Sequence, residues 1–205
     1  MTDLTLYTNP MSRGRIARWM LEEVGADYET VVVEFGGDPA LLPVNPMGKV
    51  PAIVHAGTTI TECAAICAYL ADAFPDAGLA PPVAERAAYY RWLFFAAGPL
   101  EQAVVSNSLG WKPEDKQQAL VGFGTYDRTI DTLEQAVEGA GDGWLTGERF
   151  TAADLYVGAH LGWGTMFGSI PKRDAFVRFV ERTAARPAAQ RANALDDALM
   201  PQASD

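Results

Sequence analysis

Two histidines, two cysteines and a shortage of basic residues set the first limits on this chain. His55 and His160 are too few, and too far from a third ligand type, to suggest a metal site, so no metal is expected. Cys63 and Cys67 stand four residues apart on a predicted helix, which places both thiols on one face in poor geometry for a disulfide. They read first as small buried apolar residues at a helix core face. Against 26 acidic residues there are only 16 Lys and Arg, and a formal charge of −10 argues against nucleic acid, whose affinity rests on neutralising phosphates. Any anionic ligand must be held locally. No uninterrupted apolar run reaches the ~18 residues of a membrane span, and no basic segment leads into an apolar one at the start, so a cytoplasmic protein is expected. No glycine-rich nucleotide loop is seen.

What is present is an ordinary globular composition, 49% hydrophobic, over 205 residues, enough for one large or two small cored domains. Residues Thr2 to Tyr7 alternate as a strand until Asn9-Pro10 breaks it. From Gly14 to Val24, Ile16, Trp19, Met20 and Val24 recur at helical spacing, with Gly25 as the stop. Tyr28 to Phe35 reads as a second strand, and Gly36-Gly37-Asp38-Pro39 opens a loop with room for a short helix through Leu42. Strands at Ala52 to His55 and Thr58 to Ile60 flank an Ala56-Gly57 turn, and a helix runs from Glu62 to Phe74, ended by Pro75. Asp76 to Pro82 is the linker candidate, and beyond it strand signals vanish. Helical stretches follow at Glu85 to Val105, Pro113 to Glu138 and Ala175 to Ala185. Thr151-Ala152-Ala153-Asp154 has capping-box form, with Phe150 as its hydrophobic staple. The tail after Met200 is expected to fray.

The most informative stretch is Asn45-Pro46-Met47-Gly48-Lys49-Val50-Pro51-Ala52, followed by Thr61-Glu62-Cys63 at a strand-to-helix turn. Pro51 cannot donate to a sheet ladder and is suited to begin a strand. A cis Val50-Pro51 bond would turn the Val50 N–H and C=O outward to pair with an extended, peptide-like partner. This pattern resembles the glutathione-binding half of the soluble glutathione transferase family, in a bacterial-type member. The resemblance runs from Leu4 to Pro75 as the family's α/β thioredoxin-like domain and from about Ala84 onward as its all-α helical domain. It implies a glutathione-binding domain at 1–78 and a helical domain at 84–205 that shapes the electrophile site, and it assigns Thr151–Asp154 to the family's buried capping element, which serves folding.

The resemblance implies glutathione as co-substrate, an anionic tripeptide whose thiolate is the nucleophile. Val50 and Pro51 would present the backbone edge. Glu62 would accept the γ-glutamyl ammonium, and the N–H of Cys63 at the helix start the γ-glutamyl carboxylate. Cys63 stands where the family usually has Ser. Lys49 and Arg13 are the cations for the other carboxylate or the thiolate. The thiol activator of this family follows the first strand, and two alignments differ: one falls on Asn9, the other on Ser12, ranked slightly ahead as a hydroxyl at a helix N-terminus beside Arg13. Ser12 also reads as a plain N-cap, and Tyr7 as core. An apolar electrophile would lodge between the domains, with Met11, Trp111 and Trp163 as lining candidates. The implied activity is conjugation of the thiolate to that electrophile; disulfide or peroxide reduction, or a non-catalytic glutathione-binding scaffold, are the rivals. A homodimer is implied as well, with Tyr89, Trp92 and Phe95 open between its boundary and the core.

Overall fold

A computed structural model of the chain describes residues 3–200. Alternation in Leu4-Thr5-Leu6 buries Leu4 and Leu6 on one face of β1 (Leu4–Thr8). Then come α1 (Gly14–Val24), β2 (Glu29–Val32), β3 (Ala52–His55), β4 (Thr58–Thr61) and α2 (Cys63–Ala73). The sheet order is β2-β1-β3-β4, with β1 and β2 parallel and β3 antiparallel to both β1 and β4. This is a thioredoxin-like domain. Gly25, at φ 67, ends α1 with its N–H on the Leu21 carbonyl. The second strand is shorter than expected, because Gly36 and Gly37 take positive φ and Asp38 gathers the Glu34 and Ala40 N–H groups into turns. Those turns also stand where the short helix had room.

Among the described residues no named strand follows, only helices: α3 (Ala87–Phe95), α4 (Glu101–Ser108), α5 (Tyr126–Ala140), α6 (Ala152–Phe167), α7 (Asp174–Ala184) and α8 (Pro187–Asp197), with short 3₁₀ and π turns between them. The stretch predicted at Glu85 to Val105 is interrupted by a π-helical turn, Ala96–Leu100, which contains Pro99. The one predicted from Pro113 shrinks to a single 3₁₀ turn, Asp115–Gln117, and α5 begins only at Tyr126. Gly124 at φ 65 breaks the chain there, and Thr125 caps the new start by accepting the Arg128 N–H.

The capping box forms in full. Asp154, wholly buried, accepts from the Thr151 N–H and hydroxyl and from the Leu145 N–H. Phe150 is buried beside it, its ring 4.9 Å from that of Trp144.

The chain divides into two compact units, and the division departs from the expected 1–78 and 84–205. One unit takes in the chain up to Gly78 and resumes at Ala185; the other is Leu79–Ala184. The cause is α8, which no expectation included, because Pro187 reads as a stop while it is also a good first helical residue. Its buried apolar residues are the small Ala188, Ala189 and Ala192, with Asp196 buried beside them, so charge supplies much of its attachment to α1. Arg18 Nε donates to Asp196 Oδ1 at 2.8 Å with both side chains buried, and its Nη1 reaches the Tyr28 and Thr30 hydroxyls. Arg186 grips Glu23 with two bonds, and Arg191 pairs with Glu22.

Burial pushes the Asp196 carboxyl above its ordinary value, and Arg18 pulls it back. A carboxyl raised in the folded chain binds its proton more tightly there than in the unfolded chain. Its contribution to stability therefore falls as pH rises from the ordinary carboxylate range to the raised value. Arg18→Ala leaves burial acting alone and extends that window upward. The substitution should cost about 3–5 kcal/mol in denaturant unfolding near neutral pH, and less at acidic pH where Asp196 is protonated. Arg191→Ala, at a half-exposed pair, should cost no more than about 1 kcal/mol.

Candidate functional site

Strand register brings the motifs to one end of the sheet. Ala52, first in β3, lies opposite Tyr7 of β1 and opposite Thr61 of β4. The residues just beyond, Thr8-Asn9 at the end of β1, Val50-Pro51 before β3 and Glu62-Cys63 after β4, therefore meet at that end. A thiol contact across the group, Cys63 Sγ donating to the Arg13 carbonyl at 3.6 Å, joins the α2 start to the α1 start.

The Val50-Pro51 bond is cis, as the motif suggests. Among the described residues the Val50 backbone takes no hydrogen bond. The loop before it is fixed by Asn45, buried, whose Nδ2 donates to the Lys49 carbonyl at 2.8 Å and whose Oδ1 accepts the Met47 N–H at 3.2 Å. Gly48 sits at φ 63, where a side chain would be strained. Lys49 is exposed and, among the described residues, pairs with no carboxylate.

At the start of α2, Glu62 holds φ 64 and ψ 113, is exposed, and makes no side-chain cap bond. A non-glycine residue in that region carries backbone strain on the order of 1–3 kcal/mol, which the surrounding turn must hold in place. Cys63 and Cys67 are free and buried, as read. Contact with Cys63 and then burial push the Cys67 thiol well up, so Cys67 stays protonated and serves as core.

The loop between β1 and α1 engages both candidate activators. Asn9 is buried; its Nδ2 donates to the Val33 carbonyl and its Oδ1 accepts the Met11 N–H, each at 2.9 Å. Half-buried Ser12 accepts the Gly14 N–H at 2.9 Å, which satisfies the helix start as a cap would, and donates its hydroxyl to the Asn9 carbonyl at 2.7 Å. Gly14 is obligatory: a Cβ there would meet Thr8 Oγ1 at 1.9 Å. Arg13 is exposed, and half-buried Tyr7 packs against Val33, Leu41 and Ala52.

The residues expected around an electrophile fall in both units. Met11 and Trp111 are 53% and 67% exposed, and Trp163 lies beside Phe167 with ring centres 5.2 Å apart. A cleft of about 560 Å³ in the helical unit is lined instead by Glu101, Gln102, Val105, Leu120 and Phe123, none of which the sequence singled out. Tyr89 and Trp92 belong to the core; the exposed aromatics of α3 are Tyr90 and Phe94. Asn45 was read as part of the motif but given no role of its own, and Arg15 was given none either.

A family model for the N-terminal domain of glutathione S-transferase matches residues 2–72, and one for its C-terminal domain matches residues 91–187. The chain belongs to the glutathione S-transferase family. Maleylacetoacetate isomerase of Pseudomonas aeruginosa is 31% identical over 204 residues, covering 92% of this chain and 93% of that protein. The structure of a glutathione transferase from Methylococcus capsulatus superposes with a TM-score of 0.79 at 33% identity, over 95% of this chain and 99% of the other. A sphingomonad glutathione S-transferase complexed with glutathione gives 0.76 at 30% identity, over 94% and 98%. No helix among the described residues is long and apolar enough to cross a membrane.

Proposed function

We propose that this member of the family is a glutathione transferase that joins the glutathione sulfur to a small apolar electrophile. The observation that carries the reading is the gathering of an unpaired Val50 backbone, a positive-φ Glu62 and the α2 N-terminus at one end of the sheet. An extended peptide with a free ammonium and a carboxylate at one end fits that set. Val50 pairs with its backbone, and Glu62 takes the ammonium. The Cys63 N–H and the helix dipole take the adjacent carboxylate, while Lys49 meets the far carboxylate. The glutathione-bound relative supports the same ligand here.

In the reaction the thiol proton leaves to solvent, the thiolate forms a bond to the electrophilic carbon, and the leaving group departs with its electron pair. Ser12 is the proposed activator. Its hydroxyl turns about one bond from the Asn9 carbonyl to the sulfur while the Gly14 N–H still polarises it. Asn9 is committed at both amide atoms, yet its Nδ2 carries a second proton, so it stands as the competitor. Arg13 adds positive field. Met11, Trp111 and Trp163 are proposed for the electrophile. The isomerase relative keeps open a different reaction on the same thiol, and disulfide or peroxide reduction or a binding scaffold are the other readings. We place the protein in the cytoplasm as a detoxifying homodimer.

Glu62→Ala should weaken glutathione binding by about 1–3 kcal/mol in calorimetry, by leaving the ammonium without a counter-charge. Cys63→Ser should keep or improve affinity, since the backbone donor stays and the hydroxyl usual in the family is restored. Unchanged affinity in Glu62→Ala would reduce that residue to a helix-start feature.

Removing the activating donor should raise the pH at which bound glutathione ionises, one unit corresponding to about 1.4 kcal/mol. Ser12→Ala should do so with little change in affinity; a shift seen only in Asn9→Ala would move the role to Asn9. If neither variant shifts the thiolate absorbance titration, Arg13 or water takes the role. A wild type that binds glutathione but turns over no aryl halide, peroxide or mixed disulfide would favour the scaffold.

Light scattering at micromolar concentration should give twice 22.1 kDa, and a monomer mass would refute the dimer.

A further inference from the structure

The peptide unit joining Pro10 to Met11 lies between the two candidate donors, and it is gripped at both ends. Its N–H goes to Asn9 Oδ1, and its C=O accepts from Arg15 Nε at 2.6 Å. Arg15 is itself tethered: Nη2 donates to Asp197 Oδ1 at 2.8 Å, at the last residue of α8. The neighbouring Asp196 is the buried partner of Arg18, so two consecutive carboxylates of α8 hold two arginines of α1.

Asp197 is 66% exposed, and an ion pair of that kind adds little to stability. The more consequential bond is the one to Pro10. A guanidinium can satisfy a carbonyl and a carboxylate together through its planar fork, whereas a lysine ammonium brings the same charge without that fork. We propose that Arg15, steadied by Asp197, is a positioning residue for the thiol-activating loop. By holding the Pro10 carbonyl it fixes the spacing of Asn9 and Ser12. The inference rests on the glutathione reading, and it assigns α8 a part in the chemistry through the loop.

A positioning role and a simple field effect differ in sign. Asp197→Asn removes a negative charge near Arg15 and leaves Arg13, Arg15 and Arg18 charged. Through the field alone it would lower the pH midpoint at which bound glutathione ionises. If Asp197 steadies Arg15, the loop loosens and the midpoint rises. The test is a thiolate absorbance titration of glutathione bound to the full-length wild type, Asp197→Asn, Arg15→Lys and Arg191→Ala, with thermal unfolding and glutathione affinity measured alongside. Asp197→Asn and Arg15→Lys should each raise the midpoint by about half a pH unit, with affinity within about twofold of wild type. With an activated aryl chloride as probe, kcat should fall roughly tenfold while KM for glutathione barely moves, since a small misplacement of a catalytic group is costly. Arg191→Ala, which breaks another α8 pair, should leave the midpoint in place.

A midpoint that falls or stays put in Asp197→Asn overturns the proposal. So does a shift of equal size in Arg191→Ala, which would make loosening of α8 the cause. Should Arg15→Lys fail to fold, the exposed Asp197→Asn carries the test alone. A wild type that binds no glutathione overturns this inference together with the function it rests on; a wild type that binds it with unmoved variants overturns only the positioning role.

Discussion

The pairing of β3 with both its neighbours is the constraint on which the candidate site depends. Ala52 faces Tyr7 on one side and Thr61 on the other, and those two pairings decide which residues of three separate motifs meet. A slip of one residue would exchange the faces of β3 and force Ile53 into the place where the smaller Ala52 packs against Val33 and Leu41. Core burial thus holds the alignment of the candidate site: the packing of a four-residue strand sets where Val50, Glu62 and the Asn9–Ser12 loop end. No residue in that list needs to be found by catalysis alone.

The order of elements through α2 was legible in the sequence because its signals are local. Leu4 and Leu6 alternate, Gly25 marks a helix end, and Pro51 marks a strand beginning. The capping box at Thr151–Asp154 was legible for the same reason, being complete within four residues. The candidate binding motif was legible through the resemblance carried by Asn45–Ala52 and Thr61–Cys63, whose cis Val50-Pro51 bond and positive-φ Glu62 are local backbone features.

What escaped depends on partners far along the chain. Nothing near Pro187 says whether a proline ends one helix or begins another; Asp196 settles the matter only once Arg18 stands opposite it. Arg15 looks like a solvated helix residue until Pro10 and Asp197 are both beside it. The placing of Ala185 and the residues after it in one compact unit with the sheet was illegible for that reason. The choice between Asn9 and Ser12 has a different origin: both side chains are used by the loop itself, and a local alignment cannot distinguish a bond that builds the loop from one that serves a ligand.

The return of α8 to α1 bears on the order in which the chain matures. Arg18 and Asp196 are 178 positions apart, so the unit that contains β1 closes only after Leu79–Ala184 has been made. Long-range closure of this kind carries a large entropic penalty before any contact repays it, and the intervening helices α3 to α7 can assemble in the meantime. Until α8 arrives, Arg15 and Arg18 lack their carboxylate partners at the end of the chain, and the nascent first unit is a sheet with an unfinished flank. The Asn9–Ser12 loop is thus tied, through Arg15, to a helix that is made long after it.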